Sequence, residues 1–274
     1  MIKGKQMKAI IKNFALIGAL VWLTGCAQTT VRHHEDFKEV AKNIESVVII
    51  PADVDVELIV FDGDNEQLVD KEIAIQKEIH ALAKQKLEAE NLKVIDFDFA
   101  KEAEQDEEFA YALTQAKEAW DASKTDMYQA GLVSEKDKAK FQTNLGSVLN
   151  IIADKTGAES ALLVHFSAYE KSKGVIAKDV ASSVLVGVLT LGAVVPVQAT
   201  EGSFIDVALV ETAEGRVIWA NRKVGASADS STAEFALKEL PDLVWETEAT
   251  SEQLLKAAET SSETVSDTAS PKAN

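Results

Sequence analysis

The alternation of residue types over Ser160–Tyr169 most constrains the fold, because it describes a strand with two different faces. A hairpin is predicted next: Ser203–Thr212 and Arg216–Val224 have strand-like patterns, and Gly215 between them suits a turn that requires positive φ. The side chains predicted to share one face of each strand are Leu162, Val164 and Phe166, then Ile205, Val207 and Leu209, then Val217 and Trp219. These strands predict a sheet with an apolar face that must be buried.

The remaining elements alternate between short strands and longer amphipathic helices. Strands are predicted at Ser46–Ile50, Val54–Phe61 and Leu92–Phe99, and helices at Glu66–Asn91, Ala100–Tyr128, Ser134–Thr156 and Ser231–Glu246. This order predicts an α/β fold in which a mixed sheet is packed by helices, as a two-layer or three-layer sandwich. We expect a single domain over residues 46–249 and a disordered tail over residues 250–274, where large apolar residues are scarce.

The first 25 residues have the composition of an export signal. Residues 1–12 contain four lysines and no acidic residue, and Phe14–Leu23 is an unbroken apolar run. The run is long enough for the central region of a signal peptide and too short to cross a bilayer as a helix. An ordinary secretory signal, cleaved after small residues, is the alternative interpretation.

The end of this leader, Leu23-Thr24-Gly25-Cys26, resembles the lipobox of bacterial lipoprotein precursors. The resemblance implies cleavage before Cys26, a diacylglycerol on its thiol and an acylated amino terminus. Cys26 is the only cysteine in the chain, as expected for a lipid attachment point that forms no disulfide. Residues 26–45 are predicted to be the lipidated cysteine and a surface tether that includes His33 and His34.

The location follows from the same resemblance. Ala27 occupies the position where an aspartate commonly retains lipoproteins in the inner membrane, so the resemblance implies the outer membrane, facing the periplasm. The inner membrane is the alternative. The formal charge of −17 would become −21 after loss of the leader, which disfavours nucleic acid as a partner. The sequence predicts neither a metal site nor a cofactor.

The stretch Val180–Thr200 contains no charged residue. Three interpretations remain open: a core or lid element, an apolar surface that contacts a partner, and a segment inserted in lipid. The residues proposed for a partner contact are Val184, Leu185, Leu189 and Leu191. The partner would be another envelope protein or a second copy of the chain.

The mature sequence contains no recognisable catalytic motif, since G-x-S-x-G and H-E-x-x-H are both absent. His165, on the more polar face of its strand, is interpreted as a structural histidine. A catalytic role would require a hydroxyl or carboxylate bonded to it inside a cleft. The sequence thus predicts a non-enzymatic protein.

The hairpin also carries a family resemblance. Asp206–Glu211, the Gly215 turn and Val217-Ile218-Trp219 resemble a signature of curli-secretion-type periplasmic lipoproteins, which implies a small α/β sandwich. No functional residue is carried over. The predicted function is an outer-membrane-anchored accessory or assembly factor of the cell envelope. An anchored hydrolase and a subunit of an oligomeric export pore are the alternatives.

Overall fold

The fold is built around one eight-stranded sheet in the computed structural model, which describes residues 28–179 and 199–240. The strands are β1 Gln28–Thr29, β2 Arg32–His33, β3 Ser46–Ile49, β4 Asp53–Ile59, β5 Glu66–Gln67, β6 Lys93–Ile95, β7 Val133–Ser134, β8 Ser160–Lys171, β9 Glu201–Glu211 and β10 Val217–Gly225. The helices are α1 Phe37–Ala41, α2 Val69–Ala89, α3 Phe99–Gln105, α4 Glu107–Tyr128, α5 Asn150–Thr156, α6 Lys173–Asp179 and α7 Ser231–Lys238, with a 3₁₀ turn at Gly146–Leu149.

The order of strands in the sheet is β2-β10-β9-β8-β3-β6. Strand β8 is long enough to pair with β3 at its start and with β4 at its end, both in parallel. Pro51 lies between β3 and β4, where its missing N–H breaks the ladder. On its other side β8 pairs with β9, and β9 with β10, as antiparallel neighbours. The sheet is mixed, as predicted.

Helices cover both faces of the sheet, so the fold is a three-layer sandwich and the predicted fold class is confirmed. One core lies between the sheet and helices α1, α2 and α7, and includes Leu162, Val164 and Phe166 of β8. The other lies between the sheet and helices α3, α4 and α5, and includes Leu163 of β8 and Trp120 of α4. The alternation in β8 therefore separates two cores, because successive side chains of a strand point to opposite faces.

The tether predicted over residues 26–45 is corrected from residue 28 onward. Strand β1 pairs with β7, and β2 pairs with the edge strand β10. Arg32 is 1% exposed, His34 is buried, and Phe37 and Val40 belong to the core of α1, α2 and α7. The segment is polar in sequence, but its few apolar side chains fall where they cover the edge of the sheet.

The helix predicted over Ser134–Thr156 is wrong for its first half. Residues 135–145 lie beside β2 and the start of β10, with Phe141 N–H donating to His33 O at 3.3 Å and Leu145 N–H to Gly215 O at 2.8 Å. Only the 3₁₀ turn and α5 are helical. Contacts with strand edges outweigh the local helical pattern here, and Gly146 at φ +75° interrupts it.

The predicted shared face of Val217 and Trp219 is also wrong. A register shift between Val217 and Trp219 puts these side chains on opposite faces, so they belong to different cores. Such a bulge inverts the alternation that the sequence suggests.

The helix predicted over Ala100–Tyr128 is two helices. Asp106 ends α3 and begins α4, because its carboxylate accepts hydrogen bonds from the backbone N–H groups of Glu108 and Phe109, both at 3.0 Å. Asp98 caps α3 in the same way, and the strand predicted over Leu92–Phe99 is confined to β6.

Candidate functional site: a charged row under the long helix

Four neighbouring strands each contribute one polar side chain to a continuous row across the sheet. Asp53 of β4 pairs in register with His165 of β8, His165 with Asp206 of β9, and Asp206 with Arg222 of β10. The four residues share the face that α4 covers in part, because cross-strand neighbours have side chains on the same side. We call them the charged row.

Asp206 is the most buried member of the charged row, at 1% exposed. Arg222 donates to it twice, with Nε 2.7 Å from Oδ1 and Nη2 3.1 Å from Oδ2. Lys124 of α4 adds a second cation, its Nζ 3.5 Å from Oδ2. Two-point hydrogen bonding of this kind is what a buried carboxylate needs to offset its desolvation. The ion pair between Lys124 and Asp206 therefore attaches the end of α4 to β9, and Arg222 joins β10 to the same carboxylate.

Two arginines flank the ring of Tyr128, near the end of α4. The guanidinium carbon of Arg222 is 4.1 Å from the ring centroid, and that of Arg32 is 4.9 Å away. Burial lowers the pKa of Arg32, whose Nε donates to Met127 O at 3.2 Å. Burial, reinforced by the charge of Asp206, raises the pKa of Tyr128 well above its usual range, so the phenol stays neutral. The stack attaches β2 to α4 and β10 through cation–π contacts.

His165 and Asp53 form the outer end of the charged row. His165 Nδ1 is 3.0 Å from Asp53 Oδ2, and the Asp53 side chain is 52% exposed. The adjoining cavity has a volume of about 10 Å³, room for about one water molecule. Within residues 28–179 and 199–240, no hydroxyl or thiol is hydrogen-bonded to His165. Among the described residues, His165 thus has a hydrogen-bonded carboxylate, and the cavity that adjoins the pair is far smaller than a substrate-sized cleft.

A cleft of about 800 Å³ lies elsewhere, where α1 and α5 approach the β9–β10 turn. Its lining includes the carboxylates of Glu159 and Glu211, which are engaged by the backbone. Glu159 accepts from the N–H of Glu45 at 2.6 Å, and Glu211 from the N–H of Ala213 at 2.9 Å. These carboxylates fix loops and are not held ready for a ligand.

The residues that sequence analysis singled out fall in different places. Cys26, Val184, Leu185, Leu189 and Leu191 lie outside the described residues, as do the leader and the tail. In the described ranges, no three histidine, cysteine, aspartate or glutamate side chains are placed to hold a metal ion. None of the helices in those ranges combines the length and apolar character that a bilayer crossing requires.

Apart from His165, the members of the charged row are not among the candidate residues that the sequence indicates. A usable signal was present in β9, where Asp206 interrupts the apolar residues of an inward-facing strand. A buried charge in such a position needs a paired cation. The sequence could not say that Arg222 and Lys124 supply it, because that depends on strand register and on where α4 ends.

Comparison with known proteins reveals only weak likenesses in structure. No protein-family model matches the chain, and no curated protein matches it. The lipoprotein GNA1162 of Neisseria meningitidis is 11% identical, with a TM-score of 0.28, over 82% of this chain and 99% of that one. The PelC dodecamer of Paraburkholderia phytofirmans is 10% identical, with a TM-score of 0.28, over 79% and 94%. The LpoB C-terminal domain of Salmonella enterica is 12% identical, with a TM-score of 0.25, over 70% and 94%.

Proposed function

We propose that the protein is a lipoprotein of the outer membrane, held by lipids on Cys26 and facing the periplasm, that acts without catalysis as an accessory or assembly factor of the cell envelope. The observation that carries the proposal is the place of the chain's lone cysteine. Cys26 follows a 25-residue leader of export-signal type and precedes the packed strand β1 by a single intervening residue. Two or more acyl chains on one residue give stable anchoring.

The charged row supports the non-catalytic part of the proposal. Its most buried carboxylate, Asp206, is paired with Arg222 and Lys124 and covered by α4. Its histidine lies beside a cavity that holds about one water molecule. The side chains of the charged row therefore stabilise the packing of α4 on the strands. We propose that the rest of the surface serves for contact with other molecules.

The contact itself is proposed for Val184, Leu185, Leu189 and Leu191. They belong to Val180–Thr200, a stretch without charge in a chain whose formal charge is −17. Apolar residues concentrated in one segment of an acidic protein favour association with an apolar partner surface. The partner is another envelope protein or a second copy of this chain.

The anchor is tested by mass spectrometry of the full chain, expressed with its own leader in a diderm bacterium. We expect the mature amino-terminal peptide to begin at Cys26 and to carry a diacylglycerol and a third acyl chain. The protein should sediment with outer membranes, and C26S should leave this fraction. An unmodified Cys26 thiol, or a mature terminus elsewhere, would contradict the proposal.

The contact is tested with a photo-crosslinking amino acid in place of Leu189 in the anchored protein, in the same cells. Tyr111, which is 63% exposed on α4, provides the control position. We expect a discrete cross-linked protein product at position 189 and none at 111. The product is a homodimer if the partner is a second copy. Equal labelling at both positions, or none at 189, would count against a specific contact.

A further inference from the structure

The exposed large apolar side chains of the described residues are concentrated at one end of the sheet. Strand β4 runs parallel to β8, and both stop there, where Ile59 pairs with Lys171. Strand β9 begins at the same end and β10 finishes there, where Val224 pairs with Phe204. Helices α2 and α7 start there, since Lys71 forms an ion pair with Glu170 and the Thr232 hydroxyl is hydrogen-bonded to that of Ser203. We call this the β8-terminal end.

Six exposed apolar side chains belong to the β8-terminal end or to the first turns of the helices that start there. They are Phe61, Val69, Ile73, Leu132, Val224 and Phe235, and each is between 45% and 65% exposed. The other large apolar side chain of comparable exposure is Tyr111. It lies 17 residues before Tyr128 on α4, about 26 Å back along the helix axis. Among the described residues, the exposed large apolar side chains thus cluster at the β8-terminal end, and Tyr111 lies apart from them along α4, which crosses β8, β9 and β10.

The chain also enters the fold at the β8-terminal end. Strand β2 is antiparallel to β10, with Arg32 opposite Ala220, so the residues before Arg32 lie toward the end of β10. The Thr30 hydroxyl confirms this direction by donating to the side chain of Asn221 at 2.8 Å. Strand β1 then pairs Thr29 with Val133, the neighbour of the exposed Leu132.

Covalent geometry limits how far Cys26 can be from this surface. Two residues of extended chain span at most about 7 Å, so the Cα atom of Cys26 lies within that distance of the Cα atom of Gln28. Lipids on Cys26 would bring a bilayer against β1, β7 and Leu132. From the anchor and the apolar end together, we infer that the β8-terminal end faces the bilayer and that Leu132 and Val224 contact its interface. This inference rests on the proposed function, because it requires lipid on Cys26.

Charge at the same end indicates which lipid it meets. Asp62, Asp64 and Glu66 follow β4 and are exposed, so anionic headgroups would repel this surface. The occupant is therefore a bilayer rich in zwitterionic phospholipid, and contact depends on the anchor. The β8-terminal end would bind a bilayer only weakly if the protein were free in solution. The lipid anchor holds this end next to the bilayer and so raises the effective concentration of lipid around it.

The experiment uses full-length lipidated protein with one added cysteine, at Leu132, Val224 or Tyr111. The Cys26 sulfur is blocked by its thioether, so the added thiol alone takes an environment-sensitive fluorophore. Each protein is reconstituted in phosphatidylcholine–phosphatidylethanolamine vesicles with and without spin-labelled lipid. All three positions are exposed, and unchanged thermal unfolding verifies that each variant folds.

We expect spin-labelled lipid to quench the fluorophore at L132C and V224C at least threefold more than at Y111C, independently of protein density. Equal quenching at all three positions, or stronger quenching at Y111C, would overturn the orientation while leaving the anchor intact. A signal at L132C that rises with protein density and ignores spin-labelled lipid would show that a second copy covers this end, and would also overturn it. Absence of lipid on Cys26 by mass spectrometry would overturn the proposed function and this inference together.

Discussion

Arg222 of β10 donates two hydrogen bonds, from Nε and Nη2, to the carboxylate of Asp206 on β9, and Asp206 is 1% exposed. The pair lies between the sheet and the end of α4, where Lys124 approaches the same carboxylate. Charges in such a place stabilise the fold only while each has its partner, because a lone buried charge keeps the whole cost of its desolvation.

Replacement of Asp206 by asparagine should therefore be costly even though the side-chain shape is preserved. D206N leaves Arg222 and Lys124 without their shared anion, and we expect the free energy of unfolding to fall by about 3–5 kcal/mol. Urea unfolding followed by tryptophan fluorescence measures this. D53N is the matched control, since Asp53 belongs to the same row but its side chain is 52% exposed, and its effect should stay within about 0.5 kcal/mol. Similar losses in both variants would contradict the role assigned to burial.

Tyr128 allows the ring and the hydroxyl to be tested separately. Its hydroxyl is buried and has no hydrogen-bond partner among the described residues, whereas its ring lies between Arg222 and Arg32. Y128F removes the unsatisfied oxygen and retains the stack, so stability should be unchanged or rise by up to about 1 kcal/mol. Y128L removes the stack and should cost about 2 kcal/mol. Chemical denaturation of the two variants measures these changes in the free energy of unfolding. A marked loss of stability in Y128F would indicate a hydrogen bond to the phenol.

The fold was largely predictable where a residue pattern coincided with burial. The apolar face of β8 is predicted correctly, because the alternation of its residues is itself the result of burial. The prediction that Val217 and Trp219 share a face is wrong because a bulge between them shifts the register without a local sequence signature. The segment 135–145 was predicted as helix because its partners, β2 and the Gly215 turn, are distant in sequence.

The candidate site is less predictable than the fold, because its side chains come from separate strands and helices that meet only in the folded protein. Asp206 is visible as a charge among apolar residues, but Lys124 and Arg32 come from segments whose sequences predict an amphipathic helix and a tether. Their side chains are long enough to reach across layers, so their sequence environment does not reveal their burial. The proposed anchor rests on the leader and Cys26 alone, which lie outside the described residues, so it stays a prediction.

Stability should depend on pH through His33. Burial first, then the positive charge of Lys138, lower the pKa of this imidazole from 6.5 to about 4, while Glu135 opposes the shift. The folded state thus disfavours the protonated form. The stability that neutral His33 allows is fully present above pH 6.5 and is lost as the pH falls from there through about 4. The reason is that the unfolded chain binds a proton at a higher pH than the folded chain does, so acid favours unfolding.

The H33Q variant isolates this effect. Its free energy of unfolding should fall less than that of the natural protein between pH 7 and pH 5, by roughly 1 kcal/mol after allowance for the partial exposure of His33. Unfolding in urea at pH 7, 6 and 5 measures the two slopes. Parallel slopes would mean that His33 has an ordinary pKa in the folded protein.

Two glycines with similar φ angles, Gly157 and Gly215, should respond very differently to replacement by alanine. Gly157 ends α5 at φ +69° with open space around the position of a Cβ atom, so G157A carries only the strain of positive φ, about 1 kcal/mol. Gly215 has φ +75°, but a Cβ atom there would lie 2.0 Å from the carbonyl oxygen of Gly146. The same stretch of chain holds Leu145 N–H on Gly215 O at 2.8 Å. G215A must therefore push the 3₁₀ turn away from the hairpin, which adds a further 1–3 kcal/mol. Thermal and urea unfolding of the two variants compare these costs directly, and equal destabilisation would mean that the β9–β10 turn does not pack against Gly146.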